Sequence, residues 1–439
     1  MSDKDAVKFT PKYSDIRVEN GELRFILSGD EEYGFDKSLV NAIRRILLTD
    51  IPTVGFKLTT TGENNDLIMI TNNSSLHNEM LLHRISFMPL YLNPVNYMKH
   101  HLFECKIIHD GKDPFKFITM NDINVYPLNS GLTDRVEKLL DDSYDLTPED
   151  EKLIRDTLSK TDLENYDLEK PLSQNEKNKI FRPFEFRGNS HYCLITELKK
   201  THTEDSHQEI HFYGSPSIGY GYEDAKFQGV SQATYSFKID EGLVDSTLKD
   251  KIKIDEVDKE DIETYSRKFK LREAERYFFR DSNDEANVYN FSIKSNHYYD
   301  SSMILKVSLR ILIQTCENFK LQIIEYLKEN NSRVSVEEYK ENIYHIEVEK
   351  ESHTLGNLYQ SHMMRRIIDD KTLINLIGYK KPHPLEDKIL FIVSLNPTHK
   401  LTVGDEISKI TNMFTSLIDG IDDLLVDCRS LSKVTDKTF

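Results

Sequence analysis

The sequence predicts an α+β fold made of two related halves. Each half is an antiparallel sheet packed on helices. The halves pair with each other inside one chain, and the first carries a large α+β insertion. This rests on two features. Two helix starts are alike, "DKSLVNAIRRI" at 36–46 and "SHTLGNLYQSHMMRRI" at 352–367. Two long segments also carry heptad seams. One runs Leu305, Leu309, Leu312, Cys316, Phe319, Ile323, Tyr326, and the other Ile407, Ile410, Phe414, Leu417, Ile421, Leu424, Cys428. A single seam is usually a helix lying on its own core, whereas two of equal length in one chain suggest packing against each other.

Along the chain, Leu23, Phe25 and Leu27 alternate with Arg24 and Ile26, which predicts a strand over 14–27. Asp36 can cap the first helix, and Leu39, Ile43, Ile46 and Leu47 form its apolar stripe. Pro52 limits its continuation. Val54, Phe56 and Leu58 then resume a strand. Over 61–230 turn-rich pieces alternate with short strands, and the charged stretch 131–180 reads as helices on a solvated surface. Thr147-Pro148-Glu149-Asp150 there combines a cap, a proline at the first helical position and acids in the first turn. An exposed insertion without chemistry is the plainest reading of this stretch. "KENNSRVSVEEYKEN" has no apolar period and reads as a connector.

In the second half, Tyr344, Ile346 and Val348 share a strand face. Ser352 caps a helix with Leu355, Leu358, His362 and Met363 on one side, and "LINLIGYKKPHPLEDKILFIVSL" reads as two strands turning at Pro382 and Pro384. The second half therefore repeats the first without its insertion, the pattern of a pseudo-twofold pair. The expected boundaries are 14–60 plus 231–328 for the first dimerisation domain and 61–230 for the insertion. A linker at 329–341 and a second dimerisation domain at 342–439 follow.

Charge narrows the function classes. With 57 basic against 74 acidic side chains and a net charge of −17, the surface repels phosphate backbones unless basic residues gather locally. Neither a secretory signal nor a membrane span is expected, since "SSMILKVSLRILIQTC" is interrupted by Lys306 and Arg310. Cys105, Cys193, Cys316 and Cys428 form no CxxC pair, so reduced thiols in a cytosol-like compartment are expected. His202, His207 and His211 could suggest a metal, but "EIHFY" alternates like a strand and no HExxH is present, so a polar hairpin tip is the better reading. "GSPSIGYGY" lacks the Gly-Lys-Ser/Thr of a phosphate loop. "HRISFMPLYL" has a single Arg, which is poor material for a nucleic-acid strip.

The segments "HTLGNLYQSHMM" and "GYKKPHPLEDKILFIV" resemble the small, L-type alpha-like subunit of cellular multisubunit RNA polymerases, the eleventh eukaryotic subunit. "SLVNAIRRILLTDIPTVGF", "NNSSLHNEMLLHRISFMPL", "SIGYGYEDAKFQGVSQATYSF" and "LREAERYFFRDSNDEANVYNFSIKS" are similar to the larger, D-type subunit, the third-largest eukaryotic one. The whole chain thus resembles a D-type and an L-type subunit joined head to tail. Such fusions are associated with large DNA viruses that transcribe in the host cytoplasm, which implies a viral factory and virion location.

The resemblance implies a non-catalytic platform of DNA-directed RNA polymerase. It would dock the second-largest subunit and small zinc-binding subunits, and its partners would include the largest subunit, with little or no nucleic-acid contact, no membrane and no separate alpha-like partner. It implies no cofactor, because the inserted region has only Cys105 and Cys193 where some relatives cluster metal-binding cysteines. The contact between the halves would involve Leu39, Ile43, Leu47, Leu305, Leu309, Leu312, Phe319, Leu355, Leu358, Ile410, Phe414, Leu417 and Ile421. Arg44 and Arg45, off the apolar stripe, would face the large subunit, and Arg365 and Arg366 form a second such pair. A solvated helix face is the alternative for both pairs. Gly356 is either a neutral residue in a fraying first turn or a point of close backbone approach. Two rival functions are a metal-dependent hydrolase using the 202–211 histidines and a coiled-coil adaptor using the heptad helices.

Overall fold

Two four-stranded antiparallel sheets with the same internal order, one from each half of the chain, organise the fold. The computed structural model describes residues 9–30, 34–59, 65–95, 97–140, 157, 162–201, 207–328, 332–369, 373–402 and 405–439, the side chains of 137–140, 366 and 368–369 excepted. The chain forms two compact units. One takes residues up to 50 with 230–295 and 300–439, and the other takes 51–229 with 296–299.

In the first unit the elements are β1 (Lys12–Glu19), β2 (Glu22–Ser28), α1 (Lys37–Thr49), β3 (Val230–Phe237), α2 (Glu241–Ile254), α3 (Ile262–Glu273), β4 (Val288–Ser295) and α4 (Ser301–Leu327). The same sequence of elements then recurs without α2 and α3: β5 (Val334–Lys340), β6 (Ile343–Glu349), α5 (His353–Asp369), β7 (Ile374–Lys380), β8 (Lys388–Leu395) and α6 (Glu406–Thr438). The sheets run β1-β2-β4-β3 and β5-β6-β8-β7. The repeat thus extends to strand order.

Two sequence readings need correction here. The single strand expected over 14–27 is a hairpin that turns at Asn20-Gly21, where φ is 51° and 76°. Asn-Gly supplies the two left-handed residues of a tight primed turn. The expected linker at 329–341 contains β5, an edge strand in which Val334 is buried and most other residues are exposed. An edge strand wetted on both faces shows no alternation, so its sequence looks like a connector.

The long helices α4 and α6 pack antiparallel. Lys320 Nζ lies 2.6 Å from Asp422, and Arg429 lies 2.6 Å from Glu317. The Tyr326 and Phe414 rings are 5.1 Å apart. Most seam positions are buried; Ile410 and Tyr326 are half-buried, and Ile407 at the end of α6 is exposed.

In the second unit a four-stranded sheet orders Leu67–Asn72, Glu209–Gly214, His101–Ile108 and Asn124–Pro127. Its core gathers Phe56, Leu81, Phe103, Ile118 and Phe212. Val54 and Phe56, read from sequence as resuming the first half's own strand, belong to this core. The helix start at Thr147-Pro148 lies outside the described residues. Among the described residues no helix is long and apolar enough to cross a membrane.

Leu312 is 2% exposed in the α4–α6 seam, whereas Leu321 on the same helix is 54% exposed. Chemical denaturation of Leu312→Ala is expected to lose about 3 kcal/mol and of Leu321→Ala under about 0.5 kcal/mol. Equal losses would mean that the seam is not the packed face.

Candidate assembly interface

The two similar helix starts are built by the same device. Asp36 Oδ1 accepts the Ser38 amide at 2.7 Å before α1, and Ser352 Oγ accepts the Thr354 amide at 3.2 Å before α5. α1 and α5 pack on each other, burying Leu39, Ile43 and Leu47 on one and Leu355 and Leu358 on the other. Arginines close the contact at both ends. Arg45 Nε donates to Thr354 Oγ1 at 2.8 Å, at the start of α5. Arg365 of α5 donates to Glu285 at 2.8 Å, with Asp281 at 3.9 Å, and lies in the field of Asp36, the cap of α1. Burial alone would lower the Arg365 pKa; Asp36, Glu285 and Asp281 outweigh it and raise it.

Of the residues expected at a partner surface, Arg45 and Arg365 are therefore turned to the other half of this chain. Arg44 is half-buried, and its Nε donates to Asn41 of its own helix at 3.0 Å. Arg366 lies in α5 with its side chain outside the described residues.

The long helices reach across in the same reciprocal way. Phe319 of α4 lies 5.9 Å from Phe391 on the second sheet and 5.2 Å from Tyr359 of α5. The Tyr359 hydroxyl donates to the Leu417 carbonyl at 2.7 Å. At the far end of α6, Phe439 lies 5.8 Å from Phe25 and 5.4 Å from Tyr13 of the first sheet, and Thr435 Oγ1 is 2.7 Å from the Tyr13 hydroxyl. Each half's long helix thus ends against the other half's sheet. In the seam the Cys428 thiol is hydrogen-bonded to Cys316, which together with burial pushes its pKa up; both thiols are free.

The pattern of the RNA polymerase Rpb3/Rpb11 dimerisation domain matches this chain twice, over residues 31–316 and again over residues 344–433. The chain belongs to the Rpb3/Rpb11 dimerisation-domain family. Such domains belong to non-catalytic subunits of RNA polymerase, and their partnering surfaces here are supplied by one chain. The first match begins after β1 and β2 and runs from α1 into α4, and the second runs from β6 into α6, so each falls within one of the two β-β-α-β-β-α repeats, the first enlarged by the second unit and by α2–α3.

Three other sequence features resolve into structure. Gly356 admits a ring rather than a backbone, since a Cβ there would lie 2.5 Å from the Tyr379 side chain. The glycines of "GSPSIGYGY" include Gly219, whose missing Cβ leaves room for the Phe227 ring. His211 lies in the strand Glu209–Gly214, with Nε2 at 3.1 Å from Glu104. His202 lies outside the described residues. Among the described residues no group of three His, Cys, Asp or Glu side chains is placed to share a metal ion.

Beside the interface, the sequence reading missed Glu351, which precedes the α5 cap. Burial, with Asp387 and Asp50 nearby and Arg333 only partly opposing, raises its pKa from 4.5 to about 7. A carboxyl raised on folding stabilises while it is protonated. That contribution is complete below 4.5 and is lost as pH climbs through about 7. Glu351→Gln should therefore gain on the order of 1 kcal/mol over the parent at pH 8 and little at pH 4.5, as read by denaturation at both values. An equal effect at both pH values would rule out this titration.

Proposed function

We propose that this chain is the assembly platform of a DNA-dependent RNA polymerase, a D-type and an L-type alpha-like subunit fused so that the dimer is completed inside one molecule. It docks the second-largest catalytic subunit and small zinc-binding subunits, and the largest subunit joins that assembly. The observation that carries this reading is the double family match on two half-folds whose long helices pair with each other and reach the opposite sheet. The residues named above on α1, α4, α5 and α6 form the intramolecular dimer interface, with Ile410 at its half-buried margin.

Arg44 is the better candidate for large-subunit contact, because Arg45 and Arg365 serve the pairing of the halves. Fusion fixes the two halves at equal stoichiometry and raises their effective concentration to about millimolar for a short tether. Only residues 328–333 connect α4 to β5, and such a segment could span ~20 Å when extended. That economy suits a polymerase encoded by a large DNA virus and assembled in host cytoplasm, and the viral assignment rests on the fusion alone.

Tagged chain expressed with its polymerase should recover two very large subunits. Arg44→Glu should reduce that recovery by more than about fivefold while changing stability by less than about 0.5 kcal/mol, and Arg45→Glu should lower stability as well. In isolation the chain should run as a monomer without any alpha-like partner. Recovery of no large subunit, or an obligate homodimer through swapped halves, would contradict the proposal.

A further inference from the structure

Within the first unit, the helical hairpin α2–α3 is a part of the first half that its twin lacks. β3 and β4 are separated by residues 238–287, whereas β7 and β8 are separated only by 381–387. The hairpin has its own small core of Val244, Leu248 and Phe269, which occupies the inward face of α3. Among the described residues the outward face has no such partner. Thr264, Arg267, Lys268, Leu271, Arg272 and Arg276 recur at three- and four-residue spacing along α3 and its short continuation Ala274–Arg276, and all are exposed.

From 264 to 272 there are four basic residues and no acidic one, in a chain whose net charge is −17. Lys270 pairs with Asp245 at 3.2 Å, and Glu273 pairs with Lys251. Arg267, Lys268, Arg272 and Arg276 make no ion pair among the described residues. Leu271, in the middle of this stripe, is 79% exposed.

We propose that the outward face of α3 is a docking surface for an acidic protein segment, with an apolar side chain seated on Leu271 and flanking carboxylates meeting Arg267, Lys268 and Arg272. The charge is complementary. The central leucine favours a protein segment over nucleic acid, since it offers nothing to a phosphate. Glu263 and Glu275 at the two ends of the stripe, and the acidic chain as a whole, oppose a long polyanion, whereas a short segment senses charges within a Debye length of about 10 Å. Because only one half carries the hairpin, the surface occurs once on a pseudo-twofold body and gives a partner a single orientation. The inference goes beyond the polymerase reading and does not depend on it.

The test uses the intact chain and three fluorescent probes. These are a short helical peptide of Glu and Ala with leucines at three- and four-residue spacing, polyglutamate of equal charge, and single-stranded DNA. The peptide should bind at low salt and weaken as salt rises. The combined Arg267→Glu, Lys268→Glu and Arg272→Glu variant should lose more than about tenfold in affinity, and its Gln counterpart less. Leu271→Ser should cost the peptide about fivefold and leave polyglutamate unchanged. Circular dichroism checks that each variant is folded. The proposal is overturned if the peptide does not bind, if its affinity ignores the triple variant or Leu271→Ser, or if DNA binds more tightly and is lost in the same triple variant.

Discussion

The antiparallel pairing of α4 with α6 is the constraint on which the rest of the first unit depends. Each helix buries one seam against the other and then runs on to the sheet of the opposite half, α4 to Phe391 and α6 to Phe25. Each sheet packs on helices of its own half, α1 and α4 on the first and α5 on the second, and also meets the long helix of the other half. The paired seam therefore couples the halves more tightly than a surface contact would, because separating them exposes the apolar stripes of both long helices at once. The aromatic and ion-pair contacts flanking the seam fix its direction. Lys320 with Asp422 and Glu317 with Arg429 can both form only if the helices run opposite ways in one register.

The α1–α5 pair applies the same reciprocity on a smaller scale. An arginine late in each helix reaches the other's first turn, Arg45 to Thr354 and Arg365 to the acidic surroundings of Asp36. The two ends are not equivalent. Arg45 meets a neutral hydroxyl, whereas Arg365 answers a group of carboxylates that includes Asp281, whose side chain is fully buried. A pair of unequal halves is what a single chain permits and two identical copies do not. The α2–α3 hairpin extends that inequality to the surface.

Much of this was legible in the sequence because burial on one face leaves a period. The seams of α4 and α6 apart from exposed Ile407, the stripes of α1 and α5, and the capping residues Asp36 and Ser352 lie where the pattern puts them. What was hidden had a physical reason in each case. β1 and β5 are edge strands with little burial, so they carry no alternation, and their hairpins vanished into a longer strand and a linker. Val54 and Phe56 are as apolar as any core residue, but sequence cannot say to which core they belong. An arginine off an apolar stripe looks the same whether it meets water, another subunit or the far half of its own chain. Gly356 was legible as a close approach, but not as one made by the Tyr379 ring.

Cutting the chain between its halves tests the intramolecular clasp most directly. With a specific protease site placed in the connector at 329–331, the native protein is cleaved and run on size exclusion with light scattering. The buried α4–α6 seam requires the two fragments to stay together at the mass of the uncut chain and to part only on denaturation. Fragments that separate freely under native conditions, each retaining its own fold, would contradict it.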